Sequence, residues 1–172
     1  MEYFLLKPFE GGSRFKILNE DRDILLCGIT QKGEAPDFTL HPCPLISDRF
    51  KELLEQYLPE MEFTPCVLEG CEKPDFWGFH PATQAVDQAG FRPDGSVKAV
   101  RPMGLLPIFL VPHYKKVSYV VSLALAESLL RRGYVNLGLE RIETLHQEEE
   151  GYEQSNGWRE GCQGAADQTN RL

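Results

Sequence analysis

The sequence predicts an α+β fold: a mixed or mainly antiparallel sheet with two principal packed helices, followed by a disordered carboxy-terminal tail. Three observations carry this expectation. Segments 48–58 and 123–132 repeat apolar residues at helical spacing behind a serine, and the runs at 3–6, 61–68, 75–79, 107–111, 117–121 and 135–142 are apolar or alternate with period two. Beyond residue 145 only Tyr152, Trp158 and Leu172 are large apolar groups, against six acidic and two basic residues, too little apolar surface to offset the entropy of ordering. We therefore expect a single domain over 1–145 and an acidic tail over 146–172.

Tyr3, Phe4, Leu5 and Leu6 form a first buried strand that stops near Pro8, which has no N–H to give to a ladder. After Gly11-Gly12, the segments 14–18 and 24–27 flank a charged turn and read as a hairpin. Gly33, Pro36, Pro42 and Pro44 make 31–45 a loop with at most a brief strand at 38–40. Ser47 then supplies an N-cap oxygen, Asp48 sets negative charge at the positive helix end, and Phe50, Leu53, Leu54, Tyr57 and Leu58 line one face until Pro59. Met61, Phe63, Pro65 and Val67 alternate with polar neighbours as a half-buried strand, and 75–79 is an aromatic strand.

Residues 84–87 and 96–100 flank an Arg92-Pro93-Asp94-Gly95 turn, and 107–111 with 117–121 form a further hairpin. Ser122 caps the second helix, whose Leu123, Ala126, Leu129 and Leu130 share a side. Arg131 and Arg132 oppose its carboxy-terminal dipole, and Gly133 can take the left-handed cap. A last strand follows through about residue 142. Aligning Ser47 with Ser122 also aligns Phe50 with Leu125, Glu52 with Glu127 and Leu54 with Leu129. Capping and amphipathicity account for this echo without a duplication, and that is the favoured explanation.

No window approaches the run of apolar residues needed to cross a bilayer, and the start lacks an export signal, so we expect no membrane association and a cytoplasmic protein. The five cysteines are odd in number and contain no CxxC pair, which points to free thiols rather than a disulfide framework or zinc clasp. A net charge of -8 opposes binding to nucleic acid and suits a basic protein partner.

No phosphate-binding, dinucleotide-binding, nucleophile-elbow or HExxH pattern occurs. His41 with Cys43 and Cys66 or Cys71 as a metal site, and Cys66 with His80 as a nucleophile pair, would need convergence in space that spacing does not indicate. We therefore expect no catalytic residues, no metal and no cofactor. The stretch from Asp75 to His80 is the best local recognition candidate, because exposed amphipathic aromatics anchor interfaces. Core packing competes for the same rings. Asp75, Trp77, His80 and Asp87 are the protein-binding candidates.

The segment Pro44-Leu45-Ile46-Ser47-Asp48-Arg49-Phe50-Lys51-Glu52-Leu53-Leu54, the strand after it, Ile108-Phe109, and the run from Tyr119 through Val121-Ser122 to Glu127 resemble a bacterial immunity-protein family typified by a myxobacterial member. Gly133-Tyr134 and the strand over 135–142 continue the likeness, which covers residues 40–143. It differs at Leu110, where relatives are expected to carry a basic residue, and in the acidic tail. The resemblance implies a non-catalytic protein that binds a cognate toxin domain of a polymorphic toxin system and blocks it by steric occlusion in the producing cell. The alternatives are an enzyme with an unrecognised Cys, His or carboxylate site, and a regulatory or scaffold binding module. The sequence leaves the oligomeric state open.

Overall fold

The computed structural model describes residues 1–21, 23–114 and 116–145; the tail expected over 146–172 lies outside them. In chain order the elements are β1 (Tyr3–Pro8), β2 (Arg14–Asp21), β3 (Ile24–Gln31), β4 (Phe38–Thr39), β5 (Leu45–Ser47), α1 (Asp48–Tyr57) and β6 (Phe63–Leu68). After these come β7 (Phe76–Phe79), a 3-10 turn at Val86–Gln88, β8 (Ala89–Phe91), β9 (Val97–Val100), β10 (Ile108–Val111), β11 (Ser118–Ser122), α2 (Leu123–Arg131) and β12 (Leu137–Thr144). The α+β class holds, with two helices as expected, but the strands divide into two mixed six-stranded sheets, in orders β10-β11-β1-β12-β9-β8 and β2-β3-β6-β7-β5-β4.

Both helices start as the sequence dictates. Ser47 Oγ accepts from the Phe50 N–H at 3.4 Å and Ser122 Oγ from the Leu125 N–H at 3.4 Å, so each serine satisfies a helix-end donor that would otherwise be orphaned. Each serine is also the last residue of a strand, so strand leads into helix with no intervening loop. Gly133, at φ +70°, ends the second helix in the conformation that residues bearing a Cβ disfavour.

The two halves of the chain have the same element order, five strands, a helix and a strand, and the pairings within the sheets correspond one for one. The β4–β5, β5–β7, β6–β7 and β2–β3 pairs are antiparallel and β3–β6 is parallel. In the other sheet β10–β11, β11–β1, β12–β1 and β8–β9 are antiparallel and β9–β12 is parallel. The echo between the serines is thus one part of a match that runs through all twelve strands, beyond what capping and amphipathicity explain. Each half also donates its first strand to the other's sheet: β1 sits between β11 and β12, and β7 sits between β5 and β6. Register carries the equivalence to single residues. Tyr3 lies opposite Ser122 and Ile142, and Phe76 lies opposite Ser47 and Cys66.

A central core is shared by both halves: Phe50, Leu53 and Leu54 of α1, Leu125, Ala126 and Leu129 of α2, Leu6, Ile108, Tyr119 and Val121 of one sheet, and Phe38, Ile46 and Phe79 of the other. At about 1.5–3 kcal/mol per fully buried large side chain, this contact is the main apolar term holding the halves together. Each sheet buries a second cluster on its opposite face, one around Tyr3, Val100, Phe109 and Ile142, the other around Phe15, Cys27, Cys66 and Phe76. This second layer reverses one expectation. In β6 the residues that go fully inside are Cys66 and Leu68, while Pro65 and Val67 are half-buried, because this sheet has apolar neighbours on both faces. Likewise the last strand, expected from residue 135, begins at Leu137: Val135 is 73% exposed, and Tyr134 turns into the shared core just before it. Among the described residues no helix is long and apolar enough to cross a membrane.

Candidate functional site

The amino end of α1 is built on a buried carboxylate. Asp37, 3% exposed, precedes β4 and accepts from Ser47 Oγ at 2.9 Å and from Arg49 through Nε at 2.8 Å and Nη2 at 2.5 Å, a two-pronged, charge-assisted pair. The carboxylate raises the Arg49 pKa above its ordinary value, against the opposing effect of burial. The guanidinium lies 4.2 Å from the centre of the Tyr134 ring, and the Tyr134 hydroxyl donates to the Arg49 carbonyl at 2.6 Å. Burial pushes the Tyr134 phenol up, with the nearby guanidinium pulling the other way. The Asp37 N–H donates to the Asn136 carbonyl at 3.0 Å and Asn136 Nδ2 to the Ala35 carbonyl at 2.8 Å, so this polar knot ties the first half to the approach of β12.

An open cleft of about 520 Å3 flanks the knot, with Asp48, Arg49, Asp75 and Phe76 on its walls. Asp75 is exposed on its lip, immediately before β7. Trp77 is half-buried against the shared core, and its indole N–H donates to Asp48 Oδ1 at 2.8 Å. The Lys51 ammonium stands 4.6 Å from the centre of the Trp77 ring and 5.5 Å from that of Phe63, and it pairs with Glu55 at 2.5 Å. Trp77 therefore serves both readings weighed from the sequence: one part of the ring packs inward, and the remainder is fixed in place at the surface by Asp48 and Lys51.

Asp75 and Trp77 thus come together with Asp48 on one face. His80 does not join them. It is exposed beyond the other end of β7, roughly 16 Å from Asp75 at strand rise, beside Glu60, Met61 and Glu62. Asp87 is exposed on the 3-10 turn. Sequence reasoning missed Asp37 and Arg49, whose meeting depends on tertiary structure. It also missed a signal that was available: residues 48–75 hold eight acidic and three basic side chains, and the equivalent stretch 123–150 six acidic and three basic. The stretch 48–75, which runs through α1 and β6 to the start of β7, thus carries a net five negative charges (eight acidic less three basic).

A second concavity, about 390 Å3, is lined by Ile17, Glu20, Leu25, Cys43, Thr64 and His80. It gathers a thiol and an imidazole, the groups that nucleophilic chemistry would draw on. Burial, reinforced by Cys27 and Glu20, pushes the Cys43 thiol up to about 11, so at neutral pH it keeps its proton and is a poor nucleophile. Behind it Cys27 and Cys66 are buried free thiols with sulfurs 3.2 Å apart, and burial also drives the Cys66 thiol up. Register places them where the other sheet has Val100 and Ile142, so packing alone accounts for them. Among the described residues no group of three or more His, Cys, Asp or Glu side chains is placed to hold a metal ion.

No protein-family model, no curated protein and no solved structure matches this chain.

Proposed function

We propose that this chain is a toxin-neutralising immunity protein that docks a basic toxin domain on the acidic face around α1 and blocks it by steric occlusion, without catalysis. The observation that carries the reading is the half-buried Trp77 held by Asp48 beside Asp75, in a stretch, 48–75, of eight acidic against three basic residues. A one-signed field of this kind steers an oppositely charged partner, and a rigid aromatic at its centre supplies contact area at little entropic cost. The resemblance of residues 40–143 to immunity proteins supports the same reading, as does a scaffold whose two halves share one core and present a preorganised surface. The cytoplasm of the producing cell is the compartment this role implies.

The test is co-expression with the carboxy-terminal domain of a toxin-like protein encoded beside this chain's gene. We expect restored growth and a stoichiometric complex. Asp75→Lys and Glu52→Lys should slow association at low salt, and Trp77→Ala should weaken binding by about 2 kcal/mol or more. Full toxicity with the chain in excess, and no isolable complex, would remove the proposal. The enzyme alternative rests on the Cys43 and His80 concavity; a Cys43→Ala variant that retains full neutralisation argues against it. A regulatory or scaffold module would use the same acidic face with a different partner.

A further inference from the structure

A second surface stands apart from the acidic face. Each sheet has two ends, and three of the four are closed or short. The outer side of β10 is occupied by residues 82–84, through Leu110 N–H to the Ala82 carbonyl and Gln84 N–H to the Leu110 carbonyl, both 2.8 Å. Strands β8 and β4 are only three and two residues long. The fourth end, β2, runs for eight residues, and among the described residues no strand pairs with its outer side. Such an edge presents unpaired N–H and C=O groups to any strand that can match it.

The hairpin of β2 and β3 is also where apolar side chains face solvent. Ile17, Leu18, Ile24, Leu26 and Ile29 are five of the twelve large hydrophobic residues exposed among those described. The equivalent hairpin of the other half, β8 and β9, is three and four residues long and exposes no large hydrophobic residue. The fold therefore does not require the extension.

The charge pattern of β2 selects its occupant. Arg14 and Lys16 lie toward one end, Glu20 and Asp21 toward the other, and Ile17-Leu18 between them. Arg14, Lys16 and Glu20 form no ion pair among the described residues. An antiparallel copy of the same strand brings each basic end beside an acidic end and the apolar centre beside itself. A parallel copy, or a uniformly basic strand from another protein, sets like charges together, which cross-strand pairing disfavours. We propose that β2 is the seam of an isologous homodimer, in which the two copies of its six-stranded sheet join antiparallel into one sheet. The assembly closes at two, because β4, at the far end of that sheet, is too short to carry it further. Register irregularities lie between Arg14 and Phe15 and between Ile17 and Asn19, so the paired copies must accommodate a bulged edge, which with Lys16 keeps the seam weak.

The test is sedimentation equilibrium of the full chain at near-physiological salt over about 1–200 μM, a range that brackets the micromolar affinity a small seam can supply. We expect a monomer–dimer equilibrium. Leu18→Lys should weaken it about tenfold or more, Lys16→Glu and Glu20→Lys should each weaken it by about threefold or more, and the double reversal should recover most of the loss. These positions are exposed, and thermal unfolding followed by circular dichroism verifies that each variant folds. Hydrogen exchange supplies a reading that needs no variant: β2 amides should gain protection as concentration rises. A monomer throughout this range, a dimer indifferent to Leu18→Lys, a double reversal weaker than either single, or exchange independent of concentration would overturn the proposal. So would β2 protection that arises only with a toxin bound.

Discussion

At the start of the second half's strand pair, the Pro107 carbonyl accepts a hydrogen bond from the Ser122 N–H at 2.8 Å, and its side chain has no polar group to add. At the matching place in the first half, Asp37 accepts the Ser47 N–H at 3.0 Å and also holds Ser47 Oγ and Arg49. The backbone arrangement is common to both halves and the side-chain chemistry is not. The same contrast recurs in the eight-residue β2 against the three-residue β8. Features present in both halves are those the fold needs; features confined to one half are where a function can have been added without disturbing it. On that reasoning the first half carries the β2 seam and the acidic stretch beside α1, while the second half contributes Trp77 through its exchanged strand β7 and otherwise completes the scaffold.

The comparison is most directly broken at the shared core. Phe50→Ala and Leu125→Ala remove equivalent fully buried side chains from opposite halves, at an expected cost of about 3–5 and 2–5 kcal/mol. Because both face one core, urea unfolding followed by circular dichroism should show a single transition that both variants shift. Two separable transitions, each sensitive to only one variant, would mean the halves are energetically independent.

A smaller effect sharpens the contrast between Asp37 and Pro107. Asp37→Ala strands the Ser47 hydroxyl and the Arg49 guanidinium, but Arg49 is half exposed and can turn to water, so a loss of about 1–3 kcal/mol is expected. Pro107→Ala removes no hydrogen bond and should cost less than about 1 kcal/mol. Equal costs in thermal or chemical unfolding would show that the polar knot contributes no more than its mute counterpart.

The smallest effect concerns the thiols. If Cys27 and Cys66 serve only to pack, as Val100 and Ile142 do, then Cys27→Val should change stability by less than about 1.5 kcal/mol, and the larger Cys66→Ile should cost no more than the about 1–3 kcal/mol of ordinary overpacking. The thiols should also show in the pH dependence. Cys43 holds its proton more tightly in the folded chain, up to about 11 against an ordinary value of 9.0. The associated stability is complete below pH 9 and is lost as pH rises toward about 11. Cys43→Ala should flatten that alkaline decline in thermal melts taken between pH 8 and 11, and an unchanged slope would assign the decline elsewhere.

How far the sequence led follows from the range of the forces involved. Both helices, their serine caps and the Gly133 stop depend on residues a few positions apart and stand where periodicity and capping placed them, although the second helix turns Leu125, not Leu130, inward with Ala126 and Leu129. Strand β5 was not legible: it is three residues long, lies beside Pro42 and Pro44, and owes its pairing to β4 and β7. The inward turn of Cys66 and Leu68 was hidden because alternation marks two faces without saying that both meet apolar neighbours. Strand exchange was beyond reach, since Phe4 and Phe79 carry no local sign of which half will pair with them. At the candidate surface, Asp75 and Trp77 could be named from composition and side-chain type, whereas Asp37 and Arg49 become neighbours only once α1 is seated against β12.

The placement of β1 between β11 and β12 has a consequence for how the polypeptide is made. Tyr3 through Leu6 leave the ribosome with both flanking ladders still unwritten, because the first of their partners is encoded more than a hundred codons downstream. At about 5–20 residues per second, that strand waits on the order of 6–24 s before translation can deliver a neighbour. During this interval a nascent segment of Tyr, Phe and two Leu must be shielded by the exit tunnel, a chaperone or provisional contacts, so the sheet that holds β1 closes late, whereas the other, whose strands all lie between Arg14 and Phe79, can pair much earlier.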